Sequence, residues 1–218
     1  MSVIRQPEVL GQTTRRRVIG VTAAIFTTAI EAIAVGSWFL LVVLETRTVS
    51  TALAGIGILF CGSLVRASVF GATTSELGDI IQPRRLGTAV FVTAGWTLWL
   101  LVAEWVGGVT GVLAAGILLV AMLTGHFSLE RRVFHGARPS SRLPRVRCAV
   151  VPAFLIATGA TALLSSVWFV DWSVVSPPIS LETTQIILHI EAVQVGFALF
   201  ALVMFLAHQQ RFTITLEP

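Results

Sequence analysis

Glu31 is the residue in this chain best placed to do chemistry. It stands near the middle of an apolar run, Val18 to Leu44, with Thr27 one helical turn before it and Thr28 at i−3. A carboxylate that far from either end of a membrane span cannot reach water by stretching its side chain. It must hold a proton, meet a partner or line a wet cavity. The chemistry open to it is proton or cation exchange, or contact with a polar substrate. The structural alternative is a neutral acid bonded to a neighbouring helix. A later apolar run, Gln185 to His208, carries Glu191 and Gln194 three residues apart and so on one helix face. Glu31, Thr27, Glu191 and Gln194 are therefore the candidate intramembrane polar site. Glu31 is expected to face the bundle and to carry a proton in at least one conformation.

Other ionisable residues lie nearer the ends of apolar runs. Arg66 is expected to snorkel to the adjacent interface, and His126 and His208 to sit at it. Two histidines on different helices could ligate haem or a metal, but no ligand motif accompanies them, and no metal or cofactor is assigned. Glu45 and Glu104 are expected to face water at the other side.

Several chemistries are excluded. All fifteen Lys-or-Arg positions are Arg, so retinal Schiff-base, P-loop and Lys-aldolase chemistry is absent. Cys61 and Cys148 have no neighbours at ligand spacing. There is no nucleophile elbow, HExxH, CxxC or glycine-rich phosphate loop, and Ser63 has no base beside it in sequence. An enzyme is not expected.

The elements that must position these residues follow from composition. The hydrophobic set makes up 55% of the chain and charged residues 12%, against about 25% charged in a soluble domain, and the mean hydropathy is +0.87. The reading is an all-α integral membrane protein, a compact bundle of six transmembrane helices arranged as three hairpins. The spans are expected at about 18–44, 51–70, 88–106, 109–127, 148–170 and 185–208, between a basic segment 1–17 and a tail 209–218. No run alternates as a barrel strand would. Gly107-Gly108 predicts a very tight turn between spans three and four, and Asp171 to Thr184, with Pro177-Pro178, a loop. An offset of sixty aligns Leu53-Ala54, Leu59 and Arg66 with Leu113-Ala114, Leu119 and His126, the mark of a repeated hairpin, though few positions match.

Arginine placement orients the chain. With the N-terminus in the cytoplasm, thirteen Arg fall inside and only Arg47 outside. Both ends are therefore expected in the cytoplasm, with the chain in the cell membrane. Trp38, Trp105, Trp168 and Trp172 are expected in the outer interfacial belt, and Trp96 and Trp99 against helices or lipid. Thr14-Arg15-Arg16-Arg17 resembles a twin-arginine export signal, but the apolar run after it is too long for one, and a retained first helix is expected. The loop Ser128–Arg147 is expected to meet anionic lipid head groups through Arg131, Arg132, Arg138 and Arg142. Small-residue steps at Ala32/Gly36 and Gly107/Gly111/Ala115 suit close helix packing, within the chain, in a homo-oligomer or in a membrane complex. Nucleic-acid binding is not expected, because no basic soluble module is present. Two functions remain: a small transporter or permease-like protein using the intramembrane carboxylate, or an accessory or structural subunit of a larger membrane complex.

Overall fold

The computed structural model describes residues 7–74, 83–135, 142–181 and 184–216, with side chains described for 17–69, 86–130, 149–178 and 186–213. Six long helices dominate the described residues: α1 Pro7–Phe39, α2 Val49–Thr74, α3 Pro83–Val106, α4 Gly108–His135, α5 Arg142–Trp168 and α6 Ala192–Leu216. Each contains a stretch long and apolar enough to cross a membrane. The chain thus has the character of a multi-pass membrane protein.

Local sequence explains the helix boundaries. Pro7 and Pro83 are the first described residues of α1 and α3. α1 runs into a π-helical turn, Leu40–Leu44, closed by Glu45 N–H donating to the Leu40 carbonyl at 3.1 Å. Thr48 and Thr51 cap α2 reciprocally, each backbone N–H donating to the other's hydroxyl, at 2.9 and 3.1 Å. Gly107 and Gly108, with φ of 72° and 59°, adopt the left-handed backbone that lets α3 reverse into α4 across a single residue.

Each helix packs against its neighbours in sequence, and α1 also packs against α6, so the six close into a ring. Small residues set the spacing. A Cβ on Gly36 would strike the Phe197 ring of α6, and one on Gly111 the Ala103 carbonyl of α3. The small-residue steps at these glycines therefore serve packing within the chain. Large apolar side chains cover the outside of the ring, with Leu53, Ile33 and Ile117 at 65–73% exposure. Inside, Trp38, Trp96, Trp99 and Phe200 form a core cluster in which Trp96 meets Trp99 and Phe200 edge-on, at 5.7 and 5.9 Å between centroids. Trp38 is thus a core residue and not part of the interfacial belt, because its side of α1 turns toward Trp99. Trp105 and Trp172 are exposed.

The principal departure from the sequence expectation is between α5 and α6. Residues 185–191 do not begin a helix. They belong to a two-stranded antiparallel ribbon in which β1 Ser173–Val175 pairs with β4 His189–Glu191, and β2 Ile179–Leu181 with β3 Thr184–Ile186. Isoleucine-rich sequence reads as a continuation of an apolar helix, yet β-branched residues also suit a strand once a partner is available. Ser176 N–H donates to the Leu188 carbonyl and its hydroxyl accepts from Leu188 N–H, carrying the pairing past Pro177-Pro178. Span six therefore starts at Ala192, and its apolar stretch extends to Thr213.

Candidate functional site: a buried layer of charge

Six ionisable side chains from four helices meet inside the ring. Glu31 comes from α1, Arg66 from α2, His126 and Glu130 from α4, and His208 and Arg211 from α6. All six are at most 9% exposed. They form a chain of contacts. His208 Nε2 lies 2.9 Å from Glu31 Oε2, and Arg66 Nη1 donates to the same oxygen at 3.4 Å. Arg66 Nη2 lies 2.6 Å from His126 Nε2. His126 Nε2 is 3.6 Å from Glu130 Oε2, which accepts from Arg211 Nη2 at 2.6 Å. The Arg211 guanidinium also sits over the Phe127 ring, 4.0 Å from its centroid.

Helix geometry puts these groups at one level. His126 and Glu130 share a face of α4 at i,i+4, and His208 and Arg211 share a face of α6 at i,i+3. His208 and Arg211 lie in the C-terminal half of α6, Ala192–Leu216. Glu31 stands near the middle of the apolar stretch of α1, Arg17–Leu44, and its contact with His208 brings the two to one level. α1 begins well before its apolar run, at Pro7.

The electrostatics are those of an ionised layer. Glu31 accepts from a guanidinium and faces an imidazole nitrogen, which suits a carboxylate better than the proton-carrying acid expected from depth alone. Among the described residues, two carboxylates stand against two guanidiniums, with two histidines between them. A lone buried charge is costly, and pairing with hydrogen bonding is what makes such groups tolerable. Polar atoms without a partner among the described residues remain beside this chain: Glu31 Oε1, Arg66 Nε, His208 Nδ1 and the hydroxyls of Thr27 and Thr28.

The sequence-derived candidates separate. Glu31 and Thr27 are buried at this level. Glu191 and Gln194 are exposed beside the ribbon. Glu191 pairs with His189 at 3.4 Å, and Gln194 accepts from Glu191 N–H at 3.3 Å, the reach-back contact of a helix start. The later start of α6 leaves Glu191 in the ribbon and Gln194 in the first turn of the helix, at the end away from His208, so neither joins Glu31. The same shift carries His208 inward. Arg66 does not snorkel: it is 3% exposed, held by Glu31 and His126. The missed partners carried one signal. Arg66, His126 and His208 each fall in the second half of an even-numbered apolar run, toward the same side of the bundle. Arg131, Arg132 and Arg142 are helical, but their side chains lie outside the described set, as does Arg138 altogether.

At the opposite end, Arg47 donates twice to the Glu104 carboxylate and once to the Val42 carbonyl at 2.6 Å, tying the α1–α2 connection to α3. The hydrogen bonds to Glu104 hold the Arg47 guanidinium above its ordinary range. No set of three or more metal-ligating residues is present among the described residues. Compared with protein-family models, curated proteins and solved structures, the chain shows no significant match to any of them.

Proposed function

We propose that this chain is a small proton-linked transporter of the cell membrane whose coupling group is Glu31. One observation carries the reading: a buried carboxylate is shared between Arg66 and His208, each from a different helix, and its second oxygen has no partner among the described residues. A carboxylate bridging three helices links the charge of the groups it holds to their packing, which is the requirement for coupling a proton to a conformational change. The proposed topology puts the ends of the chain in the cytoplasm. It gives Arg131, Arg132, Arg138 and Arg142 the anionic lipid head groups as partners, at about 1 kcal/mol each near a charged surface.

The test uses proteoliposomes with a trapped pH indicator. After an external acid jump, vesicles with the native chain should acidify faster than empty vesicles. Vesicles with Glu31→Gln/Arg66→Gln, which removes both charges of one pair, should match empty ones. Native vesicles no faster than empty ones would remove the transport reading.

The second reading is an accessory or structural subunit in which the same layer is interhelix glue. The balance of two carboxylates against two guanidiniums favours it, since such a layer joins α1, α2, α4 and α6 without net charge. A stably copurifying membrane partner, together with an absent proton flux, would select it.

A further inference from the structure

We infer that His208, through Nδ1, is the proton-accepting residue of the charged layer, while Arg66 holds His126 neutral. The inference deepens the transport reading and rests on it for what the proton accomplishes.

The two histidines face opposite kinds of partner. A guanidinium offers only N–H donors and stays protonated in proteins. At 2.6 Å from Arg66 Nη2, His126 Nε2 must therefore present its lone pair. That fixes His126 as the neutral tautomer with its hydrogen on Nδ1. A proton added at Nε2 would place two donors face to face. Its 3.6 Å approach to Glu130 comes from this same nitrogen, which has no hydrogen to give.

His208 is the reverse case. Its Nε2 is 2.9 Å from a carboxylate oxygen that already accepts from Arg66, and an ionised carboxylate only accepts. Nε2 therefore carries the hydrogen, and the lone pair lies on Nδ1. That atom is buried and has no hydrogen-bond partner among the described residues.

Among the described residues, charged groups reach His208 from several packed elements. α1 contributes Glu31. α2 contributes Arg66, and α4 contributes His126 and Glu130 at the next contact along the chain. α6 itself carries Arg211. α5 packs against α6 and has no titratable side chain between Ala149 and Trp168. Of these, Glu31 is in direct contact, while Arg66 and Arg211 are the cations that oppose a further positive charge.

The step is a simple protonation. A hydronium ion gives its proton to the Nδ1 lone pair and leaves as water. No bond within the ring breaks, and the Nε2 hydrogen stays on Nε2, donated to Glu31. The layer gains one positive charge, placed against Glu31. The Arg66–Glu31 contact, at 3.4 Å the longer of the two on that oxygen, is then the one to loosen, while Arg66 keeps its hold on His126. A proton on α6 is in this way passed to α2 as a change in pairing.

Nitrogen-15 NMR of histidine-labelled protein in lipid nanodiscs tests this directly. The chain has four histidines, and His135→Gln/His189→Gln leaves only the two of interest. As pH falls from neutral to mildly acid, the His208 Nδ1 signal should move from the bare-nitrogen to the protonated-nitrogen range. His126 should keep one bare and one protonated nitrogen throughout. In Glu31→Gln/Arg66→Gln, His126 loses its guanidinium donor and should begin to titrate. Titration of His126 in the native chain, or a His208 Nδ1 that stays bare, overturns the assignment. Because NMR reads protonation without transport, a vesicle assay showing no flux would remove the transport reading and leave this result standing.

Discussion

Arg66 joins the two halves of the charged layer, because its guanidinium touches both Glu31 and His126. Two nitrogens of one planar group serve two partners on different helices, a spread that the compact lysine ammonium, with all its donors on one nitrogen, does not match. Arg66→Lys should therefore lose one of the two contacts and about 1.5–3 kcal/mol of stability, the scale of a hydrogen bond involving a charged group. Thermal unfolding in nanodiscs measures this, and an unchanged midpoint would mean that charge alone matters at this position. Glu31 was legible in the sequence from residue type and surroundings. Its partners were not, since Arg66 was judged by the distance to the end of its own helix. That distance does permit snorkelling, but the ring turns the side chain inward. His208 was misplaced for a different reason: the apolar residues 185–191 were counted into its helix and belong to the ribbon.

Helices were the most legible elements, because long apolar runs flanked by Pro, Gly and polar caps have few other outcomes. The tight α3–α4 reversal followed from Gly107-Gly108, whose positive φ values are where glycine is needed. The ribbon was not legible, because strand and helix both accept Ile and Val until a pairing partner is known. The close helix contacts make a prediction at this scale. Gly111→Ala would drive a methyl group into the Ala103 carbonyl and should cost about 1–3 kcal/mol as overpacking. Gly57, on α2, meets nothing within 4 Å. Gly57→Ala should therefore be neutral or should gain about 0.5–1 kcal/mol from helix propensity. Comparing the two variants by chemical unfolding separates contact from propensity, and equal effects would contradict the close α3–α4 approach.

At the scale of the whole molecule, polarity is arranged inside out. Apolar side chains cover the exterior, and the charged layer lies within the closed ring near the ends of α2, α4 and α6. A bundle built this way suits lipid as its solvent, because polar groups find partners only in the interior. Reporter fusions should read outside after Pro177 and inside after Pro139, and the opposite sign at either site would reverse the proposed orientation. The central claim is that Glu31 and Arg66 are an ionised pair buried within this ring. A double-mutant cycle tests it most directly, with the unfolding free energies of Glu31→Gln, Arg66→Gln and the double variant measured in the same lipid. Each single change leaves a buried charge uncompensated and should cost about 3–5 kcal/mol, whereas removing both should cost less than either. A double variant whose loss equals the sum of the two single losses would show that the pair does not exist.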